Sequence, residues 1–146
     1  MKKPHKFRAK NKMFSSEMKL VQLLAKFLDS QGYRIIFEVP NMGQSADIVA
    51  LKGRKIVVIE VKLSNWKRAI DQCKAHEQVA DYICIALGAT SSSSLIKSAE
   101  EKGYGVILGH PQERSFTWAL MPRKNRNVWK PQRIIWDETL KKVCND

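Results

Sequence analysis

One stretch of the 146-residue chain constrains the fold more than any other. Residues 55–63 read Lys-Ile-Val-Val-Ile-Glu-Val-Lys-Leu, so an extended backbone there carries apolar side chains on both faces. A strand of this kind belongs in the middle of a sheet that is covered on both sides. Glu60 lies within the stretch, where an unpaired carboxylate is costly. The stretch predicts a central strand, and Glu60 requires an explanation.

The segments around this strand alternate between helix and strand patterns. Apolar residues at helical spacing predict a first helix over residues 16–31, after a serine cap and before Gly32. The other predicted elements are strands over 34–38, 46–51, 82–87 and 105–108, a turn over 40–44, and helices over 66–79 and 94–102. A weaker pattern after Pro111 predicts a strand over 116–120 and a short helix over 134–143.

This order predicts an α/β fold with a mixed central sheet flanked by helices. Length and pattern fit a single domain. We divide it into a basic arm over residues 1–13, an α/β core over 15–110, and a basic, Trp-containing extension over 111–146.

A hairpin joins the second and third predicted strands. Gly53 can supply the positive φ that a type II′ turn requires at its first central residue, so residues 53–54 fit a two-residue loop. Lys52 then pairs with Lys55, and counting back along both strands places Asp47 opposite Glu60.

In this register the two carboxylates share one face, with Cβ atoms about 5 Å apart. Alternation along the third strand places Lys62 on the same face. A loop one residue longer would put Asp47 opposite Ile59 instead. The plainer alternative is that Asp47 marks a strand end and Glu60 pairs with Lys62.

Opposed like charges destabilise a strand pair unless a cation lies between them or one of them is protonated. Mg²⁺ or Mn²⁺, hard ions that prefer oxygen ligands, are the natural candidates. Glu17 heads the apolar stripe of the first helix, so its carboxylate is expected to point toward the sheet. The alternative for Glu17 is an acid favoured by the helix dipole.

The chain carries 26 Lys and Arg against 14 Asp and Glu, a formal net charge of +12. Much of the excess lies in two blocks without acidic residues: Lys2, Lys3, Lys6, Arg8, Lys10 and Lys12, and then Arg123, Lys124, Arg126, Lys130 and Arg133. Trp129 and Trp136, interleaved with or following the second block, could stack on bases or sugars. The pattern predicts a nucleic-acid partner. The alternatives are a solvated surface or a membrane-binding arm, and neither block shows a sustained apolar face for the latter.

Other features limit the class of protein. No apolar run approaches the roughly 20 residues of a membrane span, and the basic start is not followed by the apolar region of a signal peptide. Cys73, Cys84 and Cys144 are an odd number without a Cys-x-x-Cys pair, which favours reduced thiols. We expect a cytoplasmic protein without a membrane partner.

Residues 17–87 resemble the PD-(D/E)XK nuclease superfamily, which has the restriction-endonuclease-like fold. Residues 45–50 contain the aspartate, residues 58–62 the Glu-x-Lys, the preceding helix a glutamate and the following helix Gln72. Ala46 stands where the motif's name has proline. The stretch between Asp47 and Glu-x-Lys looks much like that of archaeal Holliday-junction resolvases.

The resemblance implies a role for each motif residue. Asp47 and Glu60 would bind Mg²⁺, or Mn²⁺ as a substitute, together with the backbone carbonyl of Val61. Lys62 would orient or activate the attacking water. A bound metal lowers the pKa of water and stabilises charge in the transition state.

Two assignments implied by the resemblance have competing interpretations. Glu17 would hold a water molecule on the metal or a second ion, and Gln72 would contact the water, the substrate or Lys62. Gln72 could equally be a solvated helix residue. His76, one turn after Gln72, is expected to be a surface or boundary histidine.

The sequence thus favours a Mg²⁺-dependent DNA endonuclease of restriction, homing or phage type. A Holliday-junction or branched-DNA resolvase is one alternative, and a nucleic-acid-binding module without catalysis is another. The expected partner is double-stranded or branched DNA. Because one chain carries one site, cutting both strands would require a homodimer or a higher symmetric oligomer.

Overall fold

The computed structural model describes residues 13–41, 43–90 and 92–145 of the chain. Its strands are β1 (Arg34–Asn41), β2 (Gln44–Lys52), β3 (Lys55–Lys62), β4 (Tyr82–Leu87), β5 (Gly105–His110) and β6 (Ser115–Leu120). Its helices are α1 (Glu17–Ser30), α2 (Trp66–Lys74), α3 (Ser93–Lys102) and α4 (Lys130–Asn145).

The six strands form one sheet in the order β1-β2-β3-β4-β5-β6. β3, β4 and β5 run parallel, and the other neighbouring pairs are antiparallel. The helices α2 and α3 provide the crossover connections between the parallel strands. The predicted fold class is confirmed: a mixed sheet flanked by helices, consistent with a restriction-endonuclease-like core. β3 is central, as its apolar pattern predicts.

Two hydrophobic layers cover the sheet. On one face α1 packs through Leu20, Leu24 and Leu28 against β-strand residues such as Ile48 and Ile59. On the other face the buried residues come from α2, α3 and α4, and include Ile70, Leu95, Trp136 and Leu140. Ser16 caps α1 by accepting a hydrogen bond from the Lys19 N–H.

The hairpin register agrees with the turn chemistry. Gly53 has φ +63°, and the ladder pairs Lys52 with Lys55 and continues to Ile48 and Ile59. Every described pair of this hairpin follows the predicted register. A two-residue loop with positive φ at its first position fixes the register in this way.

Several element boundaries differ from the sequence prediction. β1 and β2 extend closer to their shared turn, and α2 ends at Lys74 instead of Val79. After Lys74, hydrogen bonds such as His76 N–H to Cys73 O span three residues, so the chain continues as turns. α4 begins earlier than predicted, at Lys130, where Pro131 suits a first helical turn.

The segment after Pro111 is part of the same body. β6 forms one edge of the sheet. α4 packs against β1, at the other edge, through Trp136, which is 2% exposed. The Trp136 Nε1–H donates to the Pro40 carbonyl at 2.8 Å. The suggestion that Trp136 stacks on nucleic acid is therefore wrong, because the ring lies in the core. In the described part of the chain, no helix has the length and apolar character to cross a bilayer.

Candidate active site

The hairpin brings Asp47 to the position beside Glu60. The β2–β3 ladder ends at Ile48 and Ile59, one residue before these two acids. There the Asp47 side chain acts as the acceptor that a backbone carbonyl would provide in a regular ladder, because its Oδ2 accepts the Val61 N–H of β3 at 2.8 Å. The Asp47 carboxylate is therefore held against β3 instead of standing out from the sheet.

The sheet is irregular on the other side of Asp47 as well. The β1–β2 ladder pairs Phe37 with Ile48 and Val39 with Ala46, and skips the residues between them. Glu38, which lies opposite Asp47, has φ +50°, a left-handed conformation that is uncommon for a residue other than glycine. Asp47 is thus outside the regular ladders of both neighbouring strands.

This irregularity changes the predicted face of Asp47. Ala46 and Val49 both pack in the core on the side of α2, α3 and α4, although strict alternation would separate them. Asp47, between them, lines a cleft of about 470 Å³ next to α1, together with Glu17, Glu38 and Val61. The alternation that predicted a shared face for Asp47 and Val49 therefore breaks next to this position.

Asp47 and Glu60 nevertheless interact directly through their carboxyl groups. Burial raises the pKa of Asp47, and the neighbouring Glu60 charge raises it further, to about 7. The Val61 N–H and, more weakly, the Lys62 charge lower this pKa. Two carboxyl groups in this arrangement are accommodated by a shared proton or by a cation.

Glu60 is enclosed by a buried polar network. Its side chain is 1% exposed, and Oε2 lies 2.7 Å from Nε2 of the fully buried His76. The other ring nitrogen, Nδ1, lies 2.9 Å from Nδ2 of Asn41. The expectation that His76 is a surface or boundary histidine is wrong, because the turn after α2 directs the ring onto β3.

Glu17 reaches the site from α1. It is solvent-exposed, and its Oε2 accepts the Leu63 N–H at 3.4 Å, just beyond the end of β3. It also lines the cleft that contains Asp47. The Glu17 carboxylate thus reaches the end of β3, but it is exposed to water and not turned away from it as the apolar stripe of α1 predicted.

Lys62 lies beside the pair, whereas Gln72 borders a different cleft. Lys62 is half-buried at the end of β3, and its charge acts on Asp47. Gln72 is half-buried on α2 and borders, with Ser45 and Arg68, a second cleft of about 530 Å³. The Gln72 Oε1 atom is buried and has no hydrogen-bond partner within the described residues. Such an atom can accept from a water molecule or a ligand.

The donor set fits Mg²⁺ in part. Among the described residues, no group of three or more His, Cys, Asp or Glu side chains converges on one point. Mg²⁺ in proteins is often held by one or two carboxylates, with waters and substrate phosphates completing the shell. The repelling Asp47–Glu60 pair and the unsatisfied Gln72 oxygen are compatible with that mode. Asp47, Glu60 and the Val61 carbonyl would be the residues that hold the ion.

The second basic block is divided by the fold. Arg133 binds Asp81 and Asp137 through its guanidinium, at 3.0 Å in each case, and also donates to the Val79 carbonyl. It therefore ties α4 to the turn before β4 and is not free for DNA. The other four residues of the block are exposed: Arg123, Lys124, Arg126 and Lys130.

Three of these residues belong to residues 122–129, which we call the strap. The strap has no regular secondary structure, yet backbone hydrogen bonds hold it: Asn125 N–H to Asp81 O at 2.7 Å and Trp129 N–H to Gln78 O at 2.9 Å. The Asn125 amide also donates to the carbonyls of Glu77 and Ala80. The strap lines a basic cleft of about 280 Å³ with Lys102 and Tyr104. The first basic block, Lys2 to Lys12, lies outside the described residues.

Sequence reasoning missed Glu38 and Asn41 at the site and interpreted His76 as a surface or boundary residue. Glu38 and Asn41 lie in β1, and His76 follows α2. Glu38 could have been identified from the sequence, because it is an acid in a predicted strand next to the strand that contains Asp47. Spacing could not have identified Asn41 and His76, since their contacts join segments 35 residues apart.

No protein-family model and no curated protein matches the chain. Among solved structures, it is similar to a protein of unknown function from Silicibacter pomeroyi, with TM-score 0.66 and 17% identity over 86% of this chain and 84% of that chain. An XisH family protein from Nostoc punctiforme matches with TM-score 0.49 and 14% identity, covering 67% and 96% of the two chains. An fdxN element excision controlling factor protein from Anabaena variabilis gives 0.48 and 13%, with 72% and 96% covered. At these identities the first likeness shows a shared fold and no more, and the two lower scores add nothing to it.

Proposed function

We propose that this chain is a metal-dependent endonuclease that hydrolyses phosphodiester bonds in DNA. The observation that carries the proposal is the contact between the carboxyl groups of Asp47 and Glu60. Burial and then the Glu60 charge raise the pKa of Asp47 to about 7. A module that only binds nucleic acid would have little reason to keep two carboxyl groups in contact next to Lys62, since apolar residues could replace buried charges at small cost.

Each residue of the proposed site has a task that follows from its position. A divalent cation, when bound, would supply Lewis-acid stabilisation of the charge that develops on the phosphate. Asp47 and Glu60 would hold that ion, and the Val61 N–H fixes the orientation of Asp47. Lys62 would orient the attacking water and the phosphate oxygens through its ammonium group. Glu17 and Gln72 would bind water at the two sides of the pair.

The exposed basic residues support DNA as the substrate. Lys124 and Arg126 project from a strap that the protein holds in place, so their charges can meet phosphates with little ordering cost. Trp129 is 56% exposed beside them, which allows stacking on an unpaired base. This exposure favours a branched-DNA substrate as the second candidate within the enzyme class.

One observation favours the competing binding module. Glu60 is buried and its Oε2 already lies 2.7 Å from Nε2 of His76, so a shared proton could neutralise the pair without any metal. Metal-dependent cleavage separates the two functions. Linear, supercoiled and branched DNA should be incubated with the purified protein in millimolar Mg²⁺ and in EDTA.

We expect cleavage only with Mg²⁺ or Mn²⁺, and loss of cleavage in Asp47→Asn, Glu60→Gln and Lys62→Ala. The two isosteric changes keep the acceptors for the Val61 N–H and for His76, so folding should be preserved. Asp71→Asn is the matched control, because Asp71 is 75% exposed on α2. Undiminished cleavage by any of the three site variants, or absence of cleavage by the parent on every DNA, contradicts the proposal.

A further inference from the structure

We infer that His76 is a positioning residue for Glu60, and that Asn41 selects the histidine tautomer that does this. The inference rests on the proposed function, since it concerns the orientation of a carboxylate proposed to bind metal. It assigns a role to two residues outside the Asp, Glu-x-Lys and Gln positions of the motif.

The chain of hydrogen bonds begins at a backbone carbonyl. The Ala75 oxygen can only accept, and it lies 3.1 Å from Nδ2 of Asn41. The Asn41 amide must therefore present its NH₂ group to this side of the site. The opposite amide orientation would bring Oδ1 against the Ala75 oxygen, so that two acceptors would face each other.

The same NH₂ group determines the state of the imidazole ring. It lies 2.9 Å from Nδ1 of His76, so Nδ1 must be the nitrogen with the free lone pair. In the neutral ring the proton is then on Nε2. Nε2 lies 2.7 Å from Oε2 of Glu60, which makes His76 the donor and Glu60 the acceptor.

This bond uses one oxygen of Glu60 and leaves the other for Asp47 and an ion. Glu60 is held from β3, His76 from the turn after α2 and Asn41 from β1, so three elements define one carboxylate orientation. All three side chains are buried: Asn41 is 2% exposed, Glu60 1% and His76 0%. Partners that orient a metal ligand in this way commonly change metal affinity by about 10–100-fold when they are removed.

The tautomer can be observed directly. Two-dimensional ¹⁵N–¹H NMR of the metal-free protein, with ring-nitrogen labelling, should show a proton on Nε2 of His76 and a lone pair on Nδ1. In Asn41→Leu, which removes the donor to Nδ1, the Nε2–H tautomer should no longer be the single form. A doubly protonated ring or an Nδ1–H tautomer in the parent protein would overturn the inference.

The positioning role is tested by Mn²⁺ affinity, measured by calorimetry with a DNA carrying a non-hydrolysable linkage. We expect His76→Ala to weaken Mn²⁺ binding by about tenfold or more, and His76→Gln, whose amide can donate to Glu60, to recover part of the loss. His110→Gln is the matched control, because His110 bonds Thr117 on the β5–β6 pair. Folded His76→Ala and His76→Gln proteins with the Mn²⁺ affinity of the parent would overturn the positioning role.

The two failures are distinguishable. A parent protein that neither binds Mn²⁺ nor cleaves DNA contradicts the proposed function and removes the metal-positioning role with it. A parent protein that cleaves DNA and binds Mn²⁺, with affinity indifferent to His76 and Asn41, contradicts this inference alone. If His76→Ala does not fold, the NMR measurement and the His76→Gln affinity decide.

Discussion

The chemistry of Asp47 departs strongly from that of an aspartate in water. Its pKa is raised from 3.8 to about 7, first by burial and then by the Glu60 charge. Between these two pH values the folded protein therefore holds a proton that the unfolded chain has released. Binding a proton in the folded state alone stabilises that state at low pH.

The sign of the effect on stability follows. Below the ordinary pKa of 3.8 both states carry the proton, and the raised pKa costs nothing. Stability falls as pH rises through the window up to about 7, and above it the full cost of two adjacent charges is present. A bound cation would offset that cost, because it favours the deprotonated pair.

We predict that Asp47→Asn removes this loss, since asparagine carries no charge at any pH. Without divalent metal, the melting temperature of the variant should exceed that of the parent by more at pH 8 than at pH 4.5. Thermal unfolding of both proteins across this range measures the difference.

The exposed Asp71→Asn is the control for the loss of one acid from the chain. It should follow the parent over the same pH range. A parent protein whose stability does not fall relative to Asp47→Asn as pH rises would mean that the carboxyl pair is not in contact.

Gln72 offers a second prediction about a single side chain. Its buried Oε1 lacks a partner within the described residues, so removing it costs no hydrogen bond inside the protein. Gln72→Ala should therefore leave stability within about 0.5 kcal/mol and depress turnover much more than DNA affinity. Gln78→Ala is a matched control, because Gln78 also has an unpartnered Oε1 but lies at the strap. Equal turnover of Gln72→Ala and the parent would make Gln72 an ordinary helix residue.

At the level of elements, the second basic block is divided between the strap, whose basic residues are exposed, and α4, whose Arg133 is bonded within the protein. The strap crosses the end of the sheet where β4 begins, whereas Lys62 ends β3 at the opposite end. β4 has six residues, so the two ends are about 20 Å apart. The strap can therefore contact a part of the DNA that is separate from the phosphate at Asp47.

We predict that Lys124→Ala weakens duplex binding without a change in turnover. Each lost phosphate contact should reduce the slope of log affinity against log salt concentration by about 0.9. Affinities at several salt concentrations, on duplexes of unrelated sequence, measure this slope. Lys26→Ala, an exposed lysine on α1 on the other side of the sheet, should leave it unchanged.

Arg133→Ala gives the contrasting result from the same block. Its guanidinium binds two carboxylates and a carbonyl, so the change should cost about 1–3 kcal/mol of stability. The salt slope should remain that of the parent, as measured by the same titration. A salt-independent affinity of the parent protein would show that the strap does not contact phosphate.

At the level of the whole molecule, each copy of the chain contributes one Asp47–Glu60 pair. Cutting both strands of a duplex would require a second copy, and a homodimer or higher symmetric assembly remains a prediction. If a dimer acts, mixing the parent with excess Asp47→Asn should convert supercoiled plasmid to nicked circles instead of linear DNA. Gel electrophoresis of the products measures this, and sedimentation under the same conditions gives the mass. Linear product from a monomeric protein would contradict a dimeric mechanism.

The amino-acid sequence by itself determined the features that depend on neighbours along the chain. The apolar pattern of residues 55–63 predicted a central strand, and Gly53 set the hairpin register that brings Asp47 beside Glu60. The strand at residues 82–87 and the cap at Ser16 follow from the same local rules. Side-chain alternation and turn chemistry act over a few residues, so they can be read without the fold.

Only the tertiary structure decided which polar groups meet. The bonds of Glu60 to His76 and of Arg133 to Asp81 join residues 16 and 52 positions apart, and no spacing rule connects them. The side-chain alternation along β2 breaks between Ala46 and Val49, which the sequence pattern did not predict. Trp136 is in the core because α4 packs against β1. The physical reason is that buried polar groups must find partners wherever packing brings an acceptor or donor within reach.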